Sequence, residues 1–145
     1  MGIFSRLLER DAENLSINKI KGFEREIIAS KESSKLSIEY SELMGYHYLR
    51  FYLISPIDIN TFKGCRIGFK NQEQEIIVDS DSSEIITFFS NKLNLGLSEF
   101  EVEIEDSICT MIKEKKIDQI VVFYKNDILE LEVIEKEYLR SIMFD

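Results

Sequence analysis

Apolar and polar residues alternate along most of the chain after residue 34. This alternation is typical of strands with one buried face, because successive side chains of a strand point to opposite sides of the sheet. Short polar segments between neighbouring runs indicate hairpin turns. The pattern predicts about six or seven strands, at residues 35–41, 46–54, 65–70, 75–79, 98–105, 118–124 and 128–134.

The stretch VDSDSSEII, residues 78–86, combines three carboxylates with three serines and interrupts the alternation. The apolar residues that follow have helical spacing and predict a helix at 82–93. Asp81 is then the N-cap, and Glu84 completes a capping box. An EF-hand calcium loop needs glycine at its sixth position and a carboxylate at its twelfth, but this chain has glutamate and serine there. We interpret the stretch as a helix cap, and a weaker cation site at Asp79 and Asp81 stays open.

Two further segments indicate helices. Residues 106–116 begin with Asp-Ser and carry lysines in the last turn, where positive charge suits the helix dipole. Residues 2–13 have the spacing of an N-terminal amphipathic helix. Residues 18–30 fit a helix and a strand equally well.

These elements predict an α+β fold. We expect a single domain of residues 1–145, in which an N-terminal helical segment (1–33) precedes an α+β body (34–145). The body holds an antiparallel or mixed sheet of about six to seven strands, with helices at 82–93 and 106–116. A strand, a helix and a strand follow one another near the end of the chain, which allows one parallel pair.

Composition narrows the class of partner. The chain carries 27 acidic and 18 basic residues, a net charge of −9. An acidic surface repels phosphate backbones, so we expect no nucleic acid as partner. The same charge favours a basic protein as partner, and a homo-oligomer stays open. No segment is long and apolar enough for a membrane span. Cys65 and Cys109 are too few for a disulfide framework or a zinc site, which indicates a soluble protein in the reducing cytoplasm.

No motif of the sequence indicates catalysis, a cofactor or a metal. It has no glycine-rich phosphate loop, no nucleophile elbow and no HExxH zinc motif. The one histidine, His47, shares its predicted strand face with Leu49 and Phe51, so we interpret it as a ring at the edge of the core. An enzyme is not indicated. The alternative is a small-molecule-binding or catalytic protein with a site around His47 and Cys65.

A tyrosine–arginine stripe favours protein binding instead. Alternation places Tyr46, Tyr48, Arg50 and Tyr52 on one strand face. Tyrosine and arginine are enriched among the residues that give interfaces most of their affinity. The plainer interpretation is that Arg50 pairs with Glu39 across the hairpin. We predict that this stripe binds a partner.

A glutamate ladder is the second predicted surface. Four glutamates alternate with apolar residues at positions 99 to 105, and two more follow near the end of the chain: Glu99, Glu101, Glu103, Glu105, Glu130 and Glu132. If these two groups lie side by side in the sheet, they concentrate like charge that a basic partner would relieve. The predicted function is therefore a non-catalytic, cytoplasmic protein-binding module with an acidic surface, which neutralises a basic protein partner.

Overall fold

The computed structural model describes residues 13–144, which form mainly one antiparallel sheet of nine strands, curled into a half-barrel. In chain order, the strands are β1 (Ala29–Lys31), β2 (Ser34–Leu43), β3 (Tyr46–Ser55), β4 (Cys65–Lys70), β5 (Glu75–Asp79), β6 (Thr87–Ser90), β7 (Leu95–Ile104), β8 (Gln119–Tyr124) and β9 (Asp127–Val133). Within this range there are three short helices: α1 (13–21), α2 (Asp106–Lys113) and α3 (Lys136–Phe144). None of them is long and apolar enough to cross a membrane.

The predicted α+β fold with six to seven strands is wrong, because the protein is mostly sheet. The order across the sheet is β5-β4-β8-β9-β1-β2-β3-β7-β6, and β1 and β6 go beyond the predicted strands. Every pairing among residues 13–144 is antiparallel, so the parallel pair is also wrong. The predicted helix at 106–116 is present as α2. It ends early because the chain leaves helical geometry at Glu114 and reaches a positive φ of 58° at Lys115.

The predicted helix at 82–93 is absent, and so is its N-cap at Asp81. Instead, β6 lines up along β7, with Thr87 opposite Ser98. The two hydroxyl oxygens are 2.8 Å apart, and the Thr87 backbone N–H donates to the Asn60 side-chain oxygen, also at 2.8 Å. Pairing with β7, together with the hydrogen bond to Asn60, therefore outweighs the local helical spacing, as expected for a short apolar segment.

The predicted amphipathic helix at 2–13 lies outside the described residues except for position 13. Of the ambiguous segment at 18–30, the first part is helical and the last part is strand. Helix α1 packs against the outer face of the sheet. There Ile20 and Phe23 contact a small buried cluster of Tyr52, Ile54 and Leu97.

Chain connections close the open side of the half-barrel. Strands β5 and β6 lie at opposite edges of the sheet, yet residues 80–86 alone join them, so Asp79 and Thr87 lie within roughly 25–30 Å of each other. The β3–β4 connection, residues 56–64, runs beside this segment and pairs with it through a Thr61–Ile85 bridge. The curled sheet thus brings its two halves together.

The core lies on the inner face of the curled sheet. Phe51 of β3 stacks on Phe100 of β7, with ring centroids 5.3 Å apart, and meets Phe69 of β4 at 6.4 Å. Since β3 and β4 belong to different halves of the sheet, this contact crosses the interior. Helix α2 contributes Ile108 and Ile112 to the same core.

Candidate functional site

The predicted tyrosine–arginine stripe lies on the outer face of β3, but its residues have different surroundings. Tyr52 is only 8% exposed. The Phe23 ring lies 6.4 Å from it, and the Arg25 guanidinium lies over it at 3.9 Å from the ring centre. This end of the stripe is covered by the protein's own N-terminal segment.

Arg50 is held within the sheet by two glutamates of the ladder. Its guanidinium is 3.0 Å from the Glu99 carboxylate and 3.7 Å from that of Glu101. Hydrogen bonding to Glu99 is the main cause that raises the pKa of Arg50. Glu39 is the cross-strand neighbour of Arg50, but its carboxylate pairs with Arg25 at 2.7 Å. The pairing partners of Arg50 are therefore on β7 and not on β2.

Tyr46 and Tyr48 form the accessible end of the stripe. Tyr46 is 58% exposed and lies at the last pair of the β2–β3 hairpin, opposite Leu43. Tyr48 is partly buried and lies opposite Glu103 of β7. Partial burial, and then the negative charges of Glu103 and Asp81, raise the pKa of Tyr48. Tyr48 is therefore a neutral phenol at physiological pH and can donate a hydrogen bond.

The stripe and the glutamate ladder lie side by side. The register places Tyr48 opposite Glu103, Arg50 opposite Glu101 and Tyr52 opposite Glu99. Arg50 compensates two of these carboxylates, whereas neither Glu103 nor Asp81 forms an ion pair within residues 13–144. We call Tyr46, Tyr48, Asp81 and Glu103 the acidic tyrosine face. Glu130 and Glu132 lie on β9, which pairs with β8 and β1 and not with β7.

Asp81 reaches this face because the serine-rich stretch is an ordered connection. The Asp81 backbone N–H donates to the Glu101 carbonyl oxygen at 2.8 Å. Ser80 accepts a hydrogen bond from the Cys65 backbone N–H at 3.1 Å and donates to the Ser82 carbonyl at 2.8 Å. The stretch therefore carries the chain from β5 to β6 and fixes Asp81 beside β7. Within the described part of the chain, no group of three or more His, Cys, Asp or Glu side chains is arranged to hold a metal ion.

A groove of about 740 Å³ is lined by the same stretch, so Asp81 borders both the groove and the acidic tyrosine face. We call it the Phe62 groove. Its aromatic residues are Phe62 and Phe123, its basic residues are Lys63, Arg66 and Lys125, and its acidic residues are Asp79 and Asp81. Cys65 also lines it, but burial raises the pKa of this thiol to about 11. The thiol is therefore protonated at neutral pH, which makes it a poor nucleophile.

His47 has a different set of neighbours from Cys65. Its Nδ1 atom is 2.7 Å from the Tyr40 hydroxyl, and the two rings stack with centroids 5.9 Å apart. Tyr40 packs against the main core, and His47 contacts the core edge through this ring. Among residues 13–144 no hydrogen bond joins His47 to Cys65, and the alternative function around these two residues stays a prediction.

Sequence reasoning misses Phe62, which is 81% exposed, because it lies in an irregular connection without periodicity. It also misses the place of Asp81, since the sequence carries no signal for contact with β7. No protein-family model matches the chain, and no curated protein or solved structure is significantly similar to it.

Proposed function

We propose that this protein is a non-catalytic cytoplasmic module that binds a basic protein partner through the acidic tyrosine face. One observation carries the proposal: Tyr48 lies opposite Glu103 and within the field of Asp81, while the neighbouring cation, Arg50, is already bound by two other glutamates. The face thus combines accessible phenol rings with negative charge that the described residues do not neutralise.

This chemistry suits lysine and arginine side chains. A cation can pair with Glu103 or Asp81 and lie over the ring of Tyr46 or Tyr48, which adds a cation–π contact. Tyrosine supplies large contact area at a low cost in side-chain entropy, so the exposed Tyr46 and the half-buried Tyr48 are suitable anchors. The net charge of −9 attracts a basic protein over longer distances and raises its association rate.

The test compares matched variants as bait in a quantitative affinity capture from the native cytoplasm. Tyr46→Ala/Tyr48→Ala removes both phenol rings, and Tyr138→Ala, which removes a 44%-exposed tyrosine of α3, is its control. Glu103→Gln removes one acid of the face, and Glu130→Gln removes an exposed glutamate of β9. A captured protein is then purified, and its affinity is measured by calorimetry at two salt concentrations.

We expect a basic protein that the unaltered protein and both controls retain, and that the double tyrosine variant loses. Glu103→Gln should weaken binding by about tenfold, the range of one charged contact at an interface. Binding should also fall at high salt, because exposed charges are screened. Equal capture by all five proteins, or capture of acidic proteins only, would contradict the proposal.

A further inference from the structure

Met44 and Phe62 are the most exposed large apolar side chains in the described part of the chain, at 89% and 81%. Both are held by defined backbone. Met44 and Gly45 form the β2–β3 turn with positive φ angles of 52° and 86°. Phe62 follows the bridge between Thr61 and Ile85, in which the two backbone N–H groups donate at 3.1 and 2.9 Å. Single exposed apolar residues are common on protein surfaces, so what distinguishes these two is the surroundings of each.

The tip of the β2–β3 hairpin projects beyond its neighbours. We define the hairpin tip as Glu42, Leu43, Met44 and Gly45. The last pair between β3 and β7 joins His47 to Ile104, so the tip has no strand beside it on that side. On the other side, β1 ends its pairing at Leu36. The tip is therefore a narrow apolar protrusion with one carboxylate, and Leu43 adds a second apolar side chain at 64% exposure.

The Phe62 groove has chemistry that complements the tip. Phe62 and Phe123 give it aromatic surface, and the Arg66 guanidinium lies 5.2 Å from the Phe123 ring centre. The three basic side chains of the groove, Lys63, Arg66 and Lys125, form no ion pair within residues 13–144. Lys125 donates only a long hydrogen bond, 3.3 Å, to the Asp58 carbonyl. The groove holds more cations than carboxylates on a chain that is strongly acidic elsewhere.

We propose that the protein self-associates, with the hairpin tip of one copy inserted into the Phe62 groove of a second copy. Met44 and Leu43 then contact the two phenylalanine rings, and a thioether against an aromatic ring is a favourable contact. Glu42 then pairs with one of the basic side chains of the groove, which outnumber its two carboxylates, Asp79 and Asp81. A single tip is smaller than a standard interface, so the association is weak, with a dissociation constant on the order of micromolar or above.

Sedimentation velocity across a wide range of protein concentration tests the contact with the protein alone. Met44→Asp places a charge in the hairpin tip, and Phe62→Asp places one in the groove. Ile134→Asp is the matched control, because it adds the same charge at a 55%-exposed apolar residue outside both surfaces. All three positions are exposed, so the fold should persist, and circular dichroism checks this.

We expect the mass of the unaltered protein and of Ile134→Asp to rise above the 17.0 kDa monomer with concentration. Met44→Asp and Phe62→Asp should each stay monomeric over the same range, which corresponds to at least tenfold weaker association. An equimolar mixture of these two variants should associate again, since one supplies an intact groove and the other an intact tip.

Three results would overturn the proposal: an unaltered protein that stays monomeric at the highest concentration, association that survives Met44→Asp or Phe62→Asp, and a mixture of the two that stays monomeric. The proposal does not depend on the basic partner. A protein that self-associates but captures no partner would contradict the proposed function alone.

Discussion

Gly64 gives the sharpest test of how the connections across the half-barrel are held. Its φ is +72°, a region that residues with a side chain rarely adopt. A Cβ atom at this position would lie 2.9 Å from the Ser80 hydroxyl oxygen and 3.4 Å from the Ser82 carbonyl oxygen. The Ser80 hydroxyl is not free to move, because it accepts from the Cys65 backbone N–H and donates to the Ser82 carbonyl.

We expect Gly64→Ala to lower the free energy of unfolding by about 2–5 kcal/mol. The left-handed backbone costs an alanine about 1–2 kcal/mol. Displacing the Ser80 hydroxyl disturbs its hydrogen bonds, which contribute roughly 0.5–1.5 kcal/mol each. Gly45→Ala separates the two causes, since Gly45 has a φ of +86° but nothing within 4 Å of its Cβ position. That control should lose only the backbone part, about 1–2 kcal/mol.

Urea unfolding, followed by circular dichroism, measures both variants. The midpoint should fall further for Gly64→Ala than for Gly45→Ala, while the m-value stays the same. In a Ser80→Ala background the atom that clashes is gone, so Gly64→Ala should then cost about as much as Gly45→Ala. If the two glycine variants are equally stable in the unaltered background, the steric argument is refuted, and the serine-rich stretch is looser than we infer.

Three further predictions concern the core, the thiols and α1. Phe51→Ala should lower the free energy of unfolding by about 3–5 kcal/mol in the same urea assay, because the ring is fully buried and stacked. Burial raises the thiol pKa of Cys65 to about 11, and it also raises the thiol pKa of Cys109, which is more exposed. Iodoacetamide at pH 8 should therefore alkylate Cys109 first. Mass spectrometry of peptides measures the order, and earlier alkylation of Cys65 would contradict the prediction. Hydrogen bonds from the Lys92 backbone N–H and the Ser90 hydroxyl lower the pKa of Glu13 in the folded protein. The ionised Glu13 side chain therefore stabilises the fold fully above its unfolded pKa of 4.5, and this stabilisation is lost as the pH falls through its lower folded pKa. Glu13→Gln should therefore unfold more easily at pH 7, and a stability gap from the unaltered protein that does not shrink below pH 4.5 would contradict this.

The hairpins are predictable from the sequence, whereas the edges of the sheet are not. In β2 and β3 the alternation is long, and the turn between them contains glycine, so local signals are sufficient. By contrast, β1 and β6 are only three and four residues long. Strand β1 depends on β9, which lies far along the chain, as well as on β2. Strand β6 pairs only with its neighbour β7, but it is also held by Asn60, 27 residues before Thr87. For residues 82–93, the spacing of apolar residues favours a helix, whereas pairing with β7 makes Thr87–Ser90 a strand.

The residues of the candidate face are visible in the sequence, but their arrangement is not. Periodicity alone identifies the tyrosines and glutamates that point to one side of their strands. It cannot show that Tyr48 lies opposite Glu103, since that register depends on the alignment of β3 with β7. Asp81 has no periodic signal at all. Its place follows from the short connection that must join the two edges of a curled sheet.

The position of Arg50 determines which residues of the outer face stabilise the fold and which remain available to a partner. Without it, Glu99, Glu101 and Glu103 would stand as an uninterrupted row of like charge on β7, which is unfavourable in a sheet. Arg50 compensates the first two, so its charge is used within the sheet. The carboxylate beyond its reach, Glu103, is the one that lies opposite an accessible tyrosine. We therefore assign Arg50 to the pairing of β3 with β7, Tyr52 to the contact with Phe23 and Arg25, and Tyr48 with Glu103 to the proposed interface.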